Sequence, residues 1–309
     1  KKLYVYASQF NNAFKDSQGF GWSATTPSFD WPTLRDNKIE EISRLNGVYD
    51  TMLGGAGVEV INGRGRFIDK HTVAVNDQQY TAERIIIATG TWPYIPEFPG
   101  SKYAVSSNEI FDLAEFPKRM LVVGGGYIAV EFAGIFNGLG AETTQLYRGP
   151  LFLRGFDQDI REFAAKEIAA SGVDLRFNSN ITSIEKQSDD SLKAILEDGS
   201  FIEADAILYA TGRKAHLQDL GFDNVDVELN DNGTIKIGEN FQTSEANIYA
   251  LGDITGGMEL TPVALEEGMA FAKTLYNNEP TSVDYDTIPT AVFCQPNIGT
   301  CGRSEERRV

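Results

Sequence analysis

Gly124, Gly125, Gly126, Tyr127, Ile128 and Ala129 fit the pattern G-x-G-x-x-G/A, directly after the apolar run Met120 to Val123. In such a turn the first glycine permits a tight reversal and the second lets the backbone approach a pyrophosphate. The small sixth residue allows close packing of helix on strand. The free N–H groups and dipole of the following helix then face the phosphates. The pattern alone also fits a plain structural glycine turn. Here a strand precedes it, a helix follows, and another strand comes next, so it reads as a dinucleotide site. The end of that next strand selects the dinucleotide. An NAD site normally carries Asp or Glu there for the ribose 2′-hydroxyl. This chain carries Arg148, with Arg154 further on. Two guanidiniums suit a 2′-phosphate dianion, so NADPH is expected; two solvated surface arginines are the alternative.

Other candidates are less specific. Glu131, two residues beyond the fingerprint, reads equally as a solvated helix residue or a working carboxylate. Tyr127 is bulky where a small residue would suffice, which fits a lid or simple packing. Gly252-Asp253 follows an apolar run and precedes a helical pattern. Asp253 is then an ordinary turn cap or a carboxylate that holds a polyol hydroxyl of a second nucleotide. Cys294 and Cys301 lack Cys-x-x-Cys spacing and are expected to be small buried or half-buried residues. His71 and His216 stand in polar loops without convergent partners, so no metal site is expected.

The surrounding pattern supplies elements to position these residues. Residues 34–53 repeat apolar side chains at helical spacing, with Ile39, Ile42, Leu45, Tyr49 and Leu53 on one face. Short strands are expected at 58–61, 66–68, 72–75 and 84–88. A proline-rich loop at 93–99 marks a domain crossing. Beyond it come a strand from Arg119, a helix at 127–139, a strand at 143–147, a helix at 158–171 and a strand at 174–177. Strands at 181–186, 192–196, 206–208 and 248–252 and a helix at 262–276 follow. Ala-Thr-Gly recurs at Ala88-Thr89-Gly90 and Ala210-Thr211-Gly212, each time after an apolar strand.

The bulk numbers are those of an ordinary soluble globular protein. At 309 residues, two domains are expected and a third has room. Hydrophobic residues make up 42% and charged residues 23%, the ordinary globular balance. A net charge of −17 makes nucleic acid an unsuitable partner. No run approaches the roughly 18 apolar residues of a membrane span. Two cysteines argue against a disulfide-built secreted domain and for a reducing compartment, the cytoplasm.

Taken together, the residues resemble the disulfide oxidoreductases that use FAD and NADPH, the glutathione reductases in particular. The resemblance runs essentially end to end. Its marks are Lys1-Lys2-Leu3, Gly19-Phe20-Gly21-Trp22, Ser43-Arg44-Leu45-Asn46, Ile87-Ala88-Thr89-Gly90, Gly124 to Glu131, Ala210-Thr211-Gly212-Arg213, Gly252-Asp253, Leu260-Thr261-Pro262-Val263-Ala264 and Pro289-Thr290-Ala291-Val292-Phe293. It implies an α/β fold of two Rossmann-like, three-layer nucleotide domains. An NADPH domain (91–215) would be inserted in an FAD domain (1–90 and 216–286), and an α+β interface domain would begin at 287–309. Lys1 would lie beside the flavin, paired with Glu131, with Tyr127 as the gate. FAD contacts would include Gly65, Thr89, Gly90, Asp253 and Thr261. NADPH contacts would include Gly124, Gly125, Gly126, Tyr127, Ile128, Glu131, Arg148, Arg154, Gly212, Arg213, Glu259 and Ala291. Tyr49 would meet the disulfide substrate, glutathione disulfide, in a homodimer. The alternatives are a reductase of another disulfide and a non-catalytic NADPH-binding module.

The sequence also departs from the family pattern. The family's Cys-x4-Cys motif, its first FAD fingerprint and its acid/base histidine fall outside this chain, so more chain is expected at both ends. The 309 residues alone are expected not to turn over glutathione disulfide. Met269 stands where glutathione reductases often place a substrate-binding arginine, and Arg303 where leucine is usual.

Overall fold

A computed structural model describes residues 1–23 and 28–302, and the chain divides into two compact units. One unit holds Lys1–Val48, Pro93–Gly212 and Thr290–Thr300; the other holds Tyr49–Trp92, Arg213–Pro289 and the residues from Cys301. Arg303 and the rest of the tail lie outside the described residues. The expected crossings near 90 and 215 fall within a few residues of two of these junctions. Residues 1–48, by contrast, cluster with the 93–212 body.

Two helices open the chain, α1 (Lys2–Gly19) and α2 (Trp31–Gly55). α1 has no counterpart among the expected elements. Its aromatic and apolar residues point both ways: Tyr4 and Val5 are buried while Tyr6, Phe10 and Phe14 are exposed, which blurs the helical period. α2 extends the expected helix at both ends, and Trp31 is its buried residue.

The first unit is organised by a sheet of four parallel strands, in the order Ala206–Tyr209, Arg119–Val123, Glu142–Tyr147, Asp174–Phe177. Met120 to Val123 are all buried, as a parallel strand covered on both faces requires. Two helices make the crossovers, α3 (Tyr127–Leu139) and α4 (Gln158–Ala170). Asp157 caps α4 by accepting the N–H groups of Asp159 and Ile160. An antiparallel meander, Ile181–Lys186, Leu192–Leu196 and Phe201–Ala204, then leads back to Ala206–Tyr209 beside the first strand. Strand order therefore reverses at Arg119–Val123, the place where open α/β sheets bind ligands.

α1 packs on α3 at a close approach. A Cβ on Gly138 would lie 2.7 Å from the Ser8 carbonyl oxygen. Aromatic residues seal the joint: Tyr4 meets Trp31 and Phe111 at centroid distances of 5.3 and 5.6 Å. The Tyr4 hydroxyl donates to the Phe111 carbonyl at 2.8 Å, and Trp31 Nε1 donates to that of Leu113 at 2.9 Å. Each such buried aromatic body contributes about 1.5–3 kcal/mol, so this joint anchors the start of the chain.

In the second unit, Gly65–Asp69, Thr72–Val75 and Gln78–Thr81 form an antiparallel sheet, and Ile85–Ile87 pairs in parallel with Ile248–Ala250. Phe67, Ile87, Leu220, Ile235, Ile248 and Ile254 are buried together. A fifth helix, α5 (Thr261–Tyr276), follows the turn at Gly252. The strand expected at 58–61 does not form. Val58, Val60 and Ile61 are exposed, and β-propensity without a pairing partner does not make a strand. Gln78–Thr81, too polar to read as a strand, forms because Thr72–Val75 offers it an edge.

Gly138→Ala would force the new methyl against the Ser8 backbone rather than against a flexible side-chain end. The expected loss is about 1–3 kcal/mol, read as a lower midpoint in denaturant. A midpoint equal to the parent's would show that α1 moves off α3 freely.

Candidate functional site

Each unit carries one group of candidate residues. In the first, the glycine turn has the shape the fingerprint demands. Gly124 has φ +147°, and a Cβ there would sit 2.3 Å from the Ala210 carbonyl oxygen. No other residue fits that approach. Its N–H donates to the Leu146 carbonyl at 2.9 Å. A Cβ on Gly125 would lie 2.5 Å from the Tyr147 ring. Gly126 is the N-cap of α3, whose first turn has neither a side-chain cap nor an acidic residue, so its start remains open to an anion.

The arginine loop is tied to this turn. The Leu153 N–H donates to the Gly125 carbonyl at 2.7 Å, which sets Arg154 one residue from the second glycine's contact. Arg161 braces the same loop through the carbonyls of Phe152 and Leu151, at 2.7 and 2.8 Å. Arg148 follows the strand Glu142–Tyr147. Both Arg148 and Arg154 are exposed, and among the described residues neither forms an ion pair. Two unneutralised guanidiniums beside an uncapped helix start, in a chain this acidic, fit a phosphorylated dinucleotide.

Glu131 is not a solvated helix residue. It is 1% exposed. Its Oε1 accepts the Phe293 N–H at 2.8 Å, and its Oε2 pairs with the Lys1 ammonium. The same ammonium lies 5.0 Å from the Tyr127 ring centroid, within cation–π range. Lys1, Glu131 and Tyr127 thus form one cluster, although 130 positions separate the first two. A lone carboxylate buried this far would be strongly disfavoured, so the Lys1 charge is what makes Glu131 tenable here.

One positioning residue in this unit escaped sequence reading. Gln145 is 1% exposed, and its Nε2 donates to the Gly124 carbonyl at 3.0 Å. The signal was a polar residue inside a buried parallel strand. Among the remaining candidates, Ile128 lies in the first turn of α3. Gly212, with φ +150°, accepts the Tyr94 N–H at 3.1 Å, and Ala291 is exposed on the strand Thr290–Val292.

The second unit assembles a polar cluster at Asp253. The Thr91 hydroxyl donates to Asp253 Oδ2 at 3.4 Å. Arg213 donates to Thr91 twice, from Nε to the hydroxyl and from Nη2 to the carbonyl, each at 2.7 Å. Glu259 is half-buried beside them. Burial, then the Asp253 charge, raise its carboxyl above the usual range against the pull of Arg213. Thr89 donates to the His216 carbonyl at 3.0 Å, and Gly90 turns with φ +67°. Thr261 is exposed at the first position of α5, which also begins without a side-chain cap. A carboxylate at a turn and an open helix start fit the polyol and the polar ring edge of a second nucleotide. Arg213, expected with the NADPH contacts, belongs to this unit and is engaged with Thr91. Gly65 lies in strand register with Val75, and Tyr49 is 60% exposed on α2.

The cysteines divide. Cys294 is buried, and burial followed by the Glu131 charge pushes its thiol up to about 11. Cys301 is exposed, against the expectation of burial, with its thiol 3.2 Å from the Thr287 carbonyl. Its apolar character could not bury it because the end of the strand pair leaves it at the surface. Among the described residues no cluster of histidine, cysteine and acidic side chains could hold a metal.

A family model for pyridine nucleotide-disulphide oxidoreductases matches residues 2–268. The chloroplastic/mitochondrial glutathione reductase of Pisum sativum is 46% identical over 99% of this chain and 56% of its own length. A Burkholderia cepacia glutathione reductase is 43% identical, covering 99% of this chain and 68% of the relative. A trypanothione reductase of Trypanosoma congolense is 39% identical, covering 99% and 65%. Among solved structures, the HOCl-induced flavoprotein disulfide reductase RclA from Escherichia coli matches with a TM-score of 0.88 at 27% identity, over 99% of this chain and 68% of that one. The chain thus spans between about half and two thirds of the length of these relatives.

At pH 8, a thiol reagent should label Cys301 at once and Cys294 only after unfolding, since a thiol raised to about 11 stays protonated. Two equally fast thiols in the native protein would contradict the burial of Cys294.

Proposed function

This chain belongs to the pyridine nucleotide-disulphide oxidoreductase family, and from that premise we propose that it is the nucleotide-binding body of an NADPH-dependent glutathione reductase. The observation that carries the reading is the Lys1–Glu131 pair against the Tyr127 ring, on the helix that begins at the fingerprint. FAD, when bound, would supply the two-electron carrier between NADPH and a disulfide. The residues of this chain do the holding. Gly124, Gly125 and the open start of α3 receive the NADPH pyrophosphate, and Arg148 and Arg154 take the 2′-phosphate. Tyr127, against the Lys1 ammonium, would be the gate over a bound flavin. Lys1 places a positive charge beside the flavin, and buried Glu131 fixes the position of its ammonium. Asp253 and Thr261 hold the flavin's polyol and ring edge.

On this reading 91–215 is the NADPH domain, 1–90 and 216–286 belong to the FAD domain, and 287–309 begins the interface of a homodimer. Neither Cys294 nor Cys301 is assigned to the dithiol chemistry, because the first is buried and the second stands alone. No nucleic acid or membrane is part of the reading; among the described residues no helix is long and apolar enough to cross a membrane. The cytoplasm is the proposed location, though the Pisum sativum relative is named chloroplastic/mitochondrial. One observation favours a second reading. Met269, 55% exposed on α5, replaces the arginine expected at the substrate, which points to a disulfide with less negative charge.

The test of function is disulfide-dependent NADPH oxidation by a longer, flavin-bound protein that joins this chain to the Cys-x4-Cys motif and the acid/base histidine of the family, with glutathione disulfide and a cationic glutathione conjugate compared. Preference for glutathione disulfide supports the first reading, and preference for the conjugate the second. Arg148→Ala and Arg154→Ala should each weaken NADPH binding about tenfold or more, the loss of one charge-assisted hydrogen bond, and leave NADH binding unchanged. Equal losses for both nucleotides would remove the 2′-phosphate assignment.

A further inference from the structure

We propose that Glu267 is a positioning residue of the flavin site, locking the turn that carries Asp253 to the helix that begins at Thr261. The proposal rests on the reading that Asp253 and Thr261 hold FAD.

Glu267 is 3% exposed. Its Oε2 accepts the Gly252 N–H at 2.6 Å, and its Oε1 accepts the Tyr285 hydroxyl at 2.8 Å. Among the described residues it has no cationic partner. A buried carboxylate without a cation is an unfavourable choice for packing alone, where an apolar residue or an amide would serve. What the carboxylate gains is two short, charge-assisted hydrogen bonds, stronger than neutral ones.

Their targets explain the choice. Gly252 has φ +74° and directly precedes Asp253, so its N–H orientation sets the path of the one-turn helix Gly252–Thr255. That turn also presses on the first turns of α5: a Cβ on Gly252 would lie 3.3 Å from the Ala264 Cβ. Among the described residues, the Asp253 side chain has only a long 3.4 Å hydrogen bond from Thr91 to orient it. Its aim therefore depends on the backbone, which Glu267 grips one residue earlier. Because Glu267 lies on α5, the same carboxylate sets the register between Asp253 and Thr261. Tyr285 completes the lock as a donor. Burial and the Glu267 charge raise its phenol above the usual range, so it keeps its proton at neutral pH.

Four variants of the flavin-bound protein test this: Glu267→Leu, Glu267→Gln, Tyr285→Phe and, as the control on the site itself, Asp253→Ala. FAD dissociation constants, the visible flavin spectrum, NADPH affinity and thermal midpoints are measured on each. Glu267→Leu should weaken FAD about 10- to 100-fold, the range for a lost charge-assisted hydrogen bond, and shift the flavin spectrum while NADPH affinity holds. Glu267→Gln keeps an oxygen for Gly252 and should recover most of the loss. Tyr285→Phe should weaken FAD to a lesser degree. If Asp253→Ala leaves FAD binding unchanged, the site reading fails. If Asp253→Ala weakens FAD but Glu267→Gln, Glu267→Leu and Tyr285→Phe all retain parental affinity and spectrum, the positioning role alone is overturned. Equal losses of FAD and NADPH affinity with a lowered thermal midpoint would also overturn it, by showing a purely structural carboxylate. Should Glu267→Leu not fold, Tyr285→Phe and Glu267→Gln decide by the same readouts.

Discussion

The approach of α3 to the parallel sheet is the constraint from which the candidate site follows. Gly124 faces the Ala210 carbonyl so closely that no side chain fits between them, and Ala129 packs a Cβ near the same point. This brings the uncapped start of α3 to the place where strand order reverses. Tyr127 and Glu131 lie on that helix four residues apart, so they share a side of it. The electrostatics of the candidate site in the first unit depend on this docking: the open N–H groups, the arginine loop tied to Gly125, and the carboxylate that meets Lys1.

Both units use a buried carboxylate to fix geometry, by opposite means. Glu131 is neutralised by Lys1, and the pair holds the charge of both in place. Glu267 has no cation among the described residues and relies on a backbone N–H and a phenol. The first arrangement fixes the position of an ammonium against the Tyr127 ring. The second leaves no net cation and acts on backbone position alone. In a low-dielectric interior, partners of either kind are worth far more than at the surface. Arg119 with Glu203 and Asp205 shows the contrast: three charges at a solvent-facing strand end, which brace the sheet with little net gain.

Much of this was legible beforehand because it is local. The helix at Tyr127–Leu139 and the strand at Asp174–Phe177 follow from periodicities that a single element carries in full. α1 was not legible, because it exposes three aromatic residues, Tyr6, Phe10 and Phe14, and buries one, Tyr4, so no apolar face stands out in the sequence. The run at 58–61 misled for the converse reason: it has strand composition, but a strand exists only as one side of a ladder.

By itself the sequence determined the glycine turn, the two arginines Arg148 and Arg154 beyond the next strand, and the order of strands and helices from Arg119 to Phe177. These depend on residues within one turn or one strand of each other. Only the tertiary structure decided that Glu131 is buried, that Gln145 braces Gly124, and that Glu267 reaches back to Gly252; the Lys1–Glu131 pair came from the family resemblance and is seen in the structure. A helix pattern says which residues share a face, but which face is covered depends on what docks there. For Glu131 that cover comes from the far ends of the chain, Lys1 and Phe293, which no local pattern could join.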